Sequence, residues 1–233
     1  MRKKLVTIVA VLVIIIGGIW GGSAIYASKE NSKAPTALSL STPTAATATE
    51  GASSGATPGV SDSGSLEGDW SIVQGSQAGY RVAEVLNGQN VTVVGRTESV
   101  EGSVTIADSK LTAAQVSVDL TGVATDNGSR DSQFLSILKT AEFPSATFTL
   151  SAPVDIAAIK AGVASVKAVG DLTIAGTTKS VTVDLKAQST GSGVEVQGSI
   201  PVTFSDYGIA APDLGFVKVE PAGSVEMLLK LSK

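Results

Sequence analysis

The sequence predicts an all-β domain, a sandwich or a closed barrel, carrying one short helical insertion. Three observations lead there. Apolar and polar residues alternate with period two: Val116, Val118 and Leu120 against Ser117 and Asp119, and Val181, Val183 and Leu185 against Thr182 and Asp184, the pattern of half-buried strands. Turn residues punctuate the alternation, as at Asn87-Gly88 and Gly191-Ser192-Gly193, in the manner of antiparallel hairpins. Aromatic content is only 4%, and Val, Ala, Gly, Ser and Thr dominate, a mix that suits strands and linkers. No repeated period suggests a propeller or solenoid.

In chain order, residues 1–26 come first. Leu5 to Ile25 is a nearly uninterrupted apolar run behind Arg2, Lys3 and Lys4, close to the roughly 20 residues a membrane-spanning helix needs. It reads as a transmembrane anchor; Gly22-Ser23-Ala24 also offers a small-residue cleavage site, which would make it a signal and the protein secreted. The basic residues before the run leave the amino terminus in the cytoplasm, so a single pass through the cytoplasmic membrane puts all that follows outside. Residues 27–68 are rich in Ser, Thr, Ala, Pro and Gly and cannot bury enough surface to order themselves. They are expected to form a disordered tether, on the order of 35 Å end to end.

The folded unit spans 69–233. Strands are expected at Tyr80 to Leu86, Val91 to Gly95, Gly102 to Ala107, Thr112 to Thr121, Ala146 to Ser151, Val163 to Ile174, Ser180 to Gln188, Val194 to Phe204 and Val217 to Leu231. The insertion lies in Thr125 to Leu150. There Asn127-Gly128 reads as a tight turn, Ser129 as an N-cap, and Phe134, Leu135 and Leu138 as one helical face. Phe143-Pro144 is expected to stop the helix.

Composition excludes much. With no histidine and no cysteine, Ser-His-Asp triads, Cys-His pairs, zinc fingers, disulfides and a lipid-bearing cysteine are all ruled out. No cofactor or metal site is expected. The net charge of -4 and only three arginines after Gly68 (Arg81, Arg96 and Arg130) make nucleic acid an unsuitable partner. The carboxylate pairs Glu98/Glu101 and Asp126/Asp131 read as solvated surface, so the chain is not expected to be an enzyme.

Several stretches, in order, carry a resemblance: GDWSIVQGSQAGYRV, VVGRTESVEGSV, the block with Asn127, Arg130 and Asp131 running into FPSATFTL, VGDLTIAGTTKSVTVDL, and VTFSDYGIAAP. Together they resemble the YceI-like family of bacterial envelope proteins across Trp70 to Lys233. The resemblance implies a lipocalin-like, eight-stranded antiparallel barrel whose lumen holds a long amphiphile, a polyisoprenoid, quinone-like or fatty-acyl chain. Relatives often carry histidines where this chain has Ser76 or its neighbours and Ala175, so no head-group or metal contact of those histidines transfers.

On that reading the ligand contacts are Tyr80, Val82, Phe134, Leu135, Leu138, Phe143, Phe148, Phe204 and Tyr207, with Arg130 as a bidentate holder of a polar head. Each has a structural alternative. The apolar residues can close the barrel as core, Arg130 can pair with Asp126 or Asp131, and small inward residues can pack a dry barrel with no cavity. Two functions remain open: a membrane-tethered extracytoplasmic binding protein for a lipid-like ligand, or an envelope module binding a protein or polymer through its surface. The sequence names no protein partner.

Overall fold

The computed structural model describes residues 27–41, 65–190 and 193–233. The expected membrane segment and most of the expected linker lie outside the described residues. Among the described residues no helix is long and apolar enough to cross a membrane.

Among the described residues, eleven strands form one antiparallel sheet. They are β1 (Gly68–Ile72), β2 (Gln77–Leu86), β3 (Gln89–Thr97), β4 (Val100–Ala107), β5 (Lys110–Asp119), β6 (Ser145–Leu150), β7 (Val154–Asp155), β8 (Ala164–Ile174), β9 (Thr177–Thr190), β10 (Gly193–Thr203) and β11 (Val217–Ser232). Pairing passes from β1 through β4, β5, β6, β8, β9, β10 and β11, and β11 returns to β1 at Ser71 and Ile72. Eight strands therefore close into a barrel, the number an interior one side chain or one slender ligand wide requires.

β1 and β2 follow each other up one side of β11, and β3 and β4 come down beside them: β2 pairs with β3 above, β1 with β4 below. The Asn87-Gly88 turn marks the upper end and the Asp108-Ser109 turn the lower one. Asn87, Asp108 and Ala175 each open a two-residue hairpin with φ near +50°, followed by Gly88, Ser109 and Gly176 at φ of 78°, 58° and 76°. These doubly left-handed turns match the twist of the flanking strands. The first was legible as Asn-Gly; the Asp108-Ser109 turn lacks a glycine and was not.

Two prolines sit in long strands without breaking them. Pairing of β10 with β9 ends at Ser199, so the missing N–H of Pro201 points where no strand pairs, and Pro221 falls in the register shift between Val219 and Gly223 of β11. Both are places a sheet tolerates proline.

β5 and β6 pair upward only to Asp119 and Ser145. The gap above them is taken by the insertion, whose entering segment bridges β3 between Arg96 and Ala124 and continues into α1 (Gly128–Ile137). Three details of the expected helix change. Its N-cap is Asn127, whose side chain accepts the N–H groups of Ser129 and Arg130, so Asn127-Gly128 is a helix start and not a hairpin turn. Its end comes at Leu138, before Phe143-Pro144, because Lys139 turns left-handed (φ 51°) and the last carbonyls are met by Leu138, Lys139 and Thr140 N–H groups. The face packed on the core is Phe134, Ile137 and Leu138, with Leu135 half-buried.

Residues 27–41, expected as the start of a disordered tether, are docked instead. A helical stretch at 27–33 lies by the upper edge of β3, where the Asn31 side-chain amide donates to the Asn90 carbonyl (3.0 Å) and Asn31 Oδ1 accepts from the Thr92 N–H (2.8 Å). Arg81 Nη2 of β2 donates to the Pro35 carbonyl (2.8 Å). Lower down, the Ser41 N–H and hydroxyl donate to the Glu195 carboxylate (3.0 and 2.8 Å), and Gln188 Nε2 donates to the Ser41 carbonyl (2.8 Å). Composition misled here because the strap is held by polar pairing with barrel side chains and a free strand edge, not by a core of its own.

Candidate functional site

The inner wall is built from small and aliphatic residues. Ala168 and Val183 are fully buried, Ile200 nearly so, and Ala187, Val194, Val202, Met227 and Leu229 complete much of the ring. The lower end is closed by Trp70, Ile106, Val154, Ile156, Ile159 and Leu231. Ile159 comes from a 3-10 turn, Ala157–Ala161, between β7 and β8.

Two of the few aromatic rings lie flat on this wall. A Cβ added at Gly170 of β8 would stand 2.3 Å from Phe148 Cζ, and one at Gly95 of β3 would stand 2.4 Å from Tyr80 Cε1. The rings therefore occupy the space above glycines of neighbouring strands and run along the wall, where a larger residue at 95 or 170 would force them inward. Met227 lies over Gly198 in the same way, 2.9 Å from a Cβ placed there.

At the upper end, α1 meets β2. Tyr80 stacks on Phe134 with centroids 4.9 Å apart and planes inclined by 10°. Burial, opposed by the nearby Arg130 charge, pushes the Tyr80 hydroxyl up to about 12, so it stays a neutral hydrogen-bonding group. Arg130 reaches from α1 to two carboxylates: Nη1 donates to Asp126 at 2.7 Å and Nη2 approaches buried Glu84 of β2 at 3.5 Å. Asp131 makes a different bond, accepting from the Thr125 N–H (2.9 Å) and hydroxyl (2.6 Å) to pin the loop before the helix.

The structure thus gathers Tyr80, Phe134 and Arg130 at one mouth and adds Glu84, which sequence reasoning missed. An acidic residue at an inward position of an alternating strand was the available signal. Val82 is buried beside them on β2, and Phe204 approaches it near Gly223. Leu138 closes the helix end on the core. Tyr207, in the 3-10 turn Phe204–Tyr207, is buried, and its hydroxyl has no hydrogen-bond partner among the described residues; burial, then the Asp206 charge, raises its pKa. Phe143 stands apart, against the β8–β9 turn at Gly176, and Phe148 lies lower on the wall.

Ser76 and Ala175 have structural roles in this chain. The Ser76 hydroxyl donates to the Val73 carbonyl (2.8 Å) and accepts from the Lys230 N–H (2.9 Å), joining the β1–β2 break to β11. Ala175 opens a hairpin. No group of three or more acidic, histidine or cysteine side chains able to hold a metal occurs among the described residues.

A second polar constellation lies on the outer wall. The Glu226 carboxylate accepts from Arg81 Nε (2.7 Å) and from Arg96 Nη2, and all three lie under the strap. Burial works to raise the Glu226 carboxyl, but the two guanidinium groups outweigh it and hold it below its ordinary value. Arg96 therefore has a structural partner. A cavity of about 240 Å³ opens beside it at the free edge of β3, between Val91–Val94, Asp126 and Arg130, and a second of about 480 Å³ lies across β8, β9 and β10, lined by residues including Lys167, Asp184 and Gln197.

A protein-family model described as YceI-like domain matches residues 70–231. No curated protein matches the chain. Among solved structures, a polyisoprenoid binding domain from Saccharophagus degradans, implicated in plant cell wall breakdown, aligns at TM-score 0.57 and 20% identity, covering 70% of this chain and 97% of that one. BcnA of Burkholderia cenocepacia aligns at TM-score 0.55 and 20% identity, covering 68% and 96%. At these identities the likeness establishes the fold: a closed, lipocalin-like antiparallel barrel.

Proposed function

Because the chain belongs to the YceI-like family, we propose that it is a binding protein, not an enzyme, and that its barrel holds a long apolar amphiphile of the polyisoprenoid, quinone-like or fatty-acyl kind. The observation that carries this reading is the inner wall, where Tyr80 and Phe148 are laid flat over Gly95 and Gly170. Aromatic rings are the largest plugs available to a barrel, and here glycines let them lie along its side. The solved polyisoprenoid binding domain with the same fold supports the ligand class.

In this reading the tail enters from the upper mouth and runs beside Val82, Phe148 and Phe204, with α1 as the lid through Phe134, Leu135 and Leu138. Each buried methylene contributes about 0.8 kcal/mol, so a long tail binds without directional contacts. Arg130 and the hydroxyl groups of Tyr80 and Tyr207 meet the polar head. Phe143 steadies the lid from the β8–β9 turn. The apolar run Leu5 to Ile25 anchors the chain in the cytoplasmic membrane with the barrel outside.

The test is retention of a radiolabelled polyisoprenyl alcohol by the detergent-solubilised full chain through gel filtration. The reading requires label to elute with the protein in saturable, one-per-barrel amounts. Protein that elutes folded and free of label overturns it.

A further inference from the structure

We infer that the upper mouth of the barrel faces the bilayer, with Leu214 and Phe216 set into its interface, so that an amphiphile passes between membrane and lumen without crossing water. This rests on reading Leu5 to Ile25 as the membrane segment. Four observations converge on it.

The strap has a direction. From Ser41, low on the wall at Gln188 and Glu195, it climbs past Arg81 to Asn31 at Asn90 and Thr92, beside the upper turn. The chain therefore leaves toward residue 27 at the upper end. Second, it leaves with little slack: five residues lie between Ile25 and Asn31, a reach of at most about 20 Å over the six steps, and less because 27–33 is helical. With 27–41 docked, the barrel is held close to the end of the apolar run.

Third, the same end carries two of the exposed large apolar side chains, Leu214 at 54% and Phe216 at 58% exposure. The Asn87 N–H of the upper turn donates to the Phe216 carbonyl (2.8 Å), so this loop sits beside the turn that Asn31 flanks. Fourth, the loop is built to keep them out. The Leu214 N–H donates to the Val217 carbonyl (2.8 Å), the Gly215 N–H donates to Asp213 Oδ1 (3.0 Å), and Gly215 turns left-handed at φ 81°. A tight turn with a leucine and a phenylalanine at its tip, and the exposed Lys218 just behind, is the arrangement that settles at the headgroup boundary.

The absence of cysteine from the chain makes a direct test available. Leu214→Cys and Phe216→Cys, each made in the full chain, labelled with an environment-sensitive dye and reconstituted in vesicles of mixed zwitterionic and anionic phospholipid, report the surroundings of the loop. Val163→Cys is the control, an equally exposed apolar position (60%) at the lower end, next to the start of β8. The expected result is a blue-shifted emission at 214 and 216 that is quenched by doxyl-labelled lipid, with position 163 unshifted and unquenched. Emission at 214 and 216 matching that at 163, in protein that floats with the vesicles, overturns the orientation while leaving the anchor in place. Protein that does not float overturns the anchor and the inference together.

Discussion

Gly95→Ala is expected to destabilise the barrel by about 1–3 kcal/mol through overpacking, acting through one side chain. Gly95 is buried on the inner face of β3, paired with Tyr80 of β2. The new methyl would stand 2.4 Å from Tyr80 Cε1 and 2.9 Å from Cζ, where ordinary contact begins at 3.4 Å, so the ring must retreat by about 1 Å. It cannot retreat freely, since its other face is stacked on Phe134. Losing that stack costs a further ~0.5–1.5 kcal/mol, while the smaller chain entropy of alanine returns ~0.4–1 kcal/mol. Urea denaturation of the single variant gives the cost, and Tyr80→Val supplies the control. In the Tyr80→Val background the methyl has room, so Gly95→Ala there should cost little or stabilise. An equal cost in both backgrounds, or none in the parent, refutes the placement of the ring on the wall.

Three further outcomes follow from the polar groups. Glu226→Gln gives up two charge-assisted hydrogen bonds under the strap, and a loss of about 3 kcal/mol in the same denaturation assay is expected; Glu226→Leu with Arg81→Met and Arg96→Met should recover much of it, since a packed apolar trio replaces the ion cluster. Glu195 is held below its ordinary 4.5, burial being outweighed by the hydrogen bonds from Ser41 and Gln188. A depressed carboxyl stabilises above its unfolded value and stops doing so as pH falls through the folded one, so the protection of the amides at 34–41, relative to their intrinsic exchange rates, should fall below about pH 4.5, and Glu195→Gln should flatten that pH dependence. Arg130→Met leaves Glu84 buried without its cation, for an expected loss of about 2 kcal/mol; restoring stability by adding Glu84→Leu separates the ion pair from the helix itself.

The barrel was legible because alternation and turn chemistry are local. Nine strands can be read from Val-rich runs, but β1 and β7 cannot: five and two residues long, they are defined by partners far away in sequence, β4 and β11 for β1 and β5 for β7. The helix was legible by its break in period, but its cap was not placed correctly, since Asn127 followed by glycine satisfies both a turn and an N-cap pattern and only the neighbouring N–H groups decide. Tyr80, Phe134 and Arg130 could each be named as candidates, whereas their meeting depends on β5 and β6 stopping short. Glu84 and the strap were hidden for a related reason. Each is held by polar pairing across the barrel, and periodicity carries no trace of a partner.

Whether the lumen carries a lipid is best decided by what the protein already holds. The full chain, purified from the membranes of cells that make it and extracted with organic solvent, should release one isoprenoid-like or acyl-chain species per barrel by mass spectrometry. A folded barrel whose extract contains no such species, and which takes up none when offered, would show that the lumen is not a lipid site.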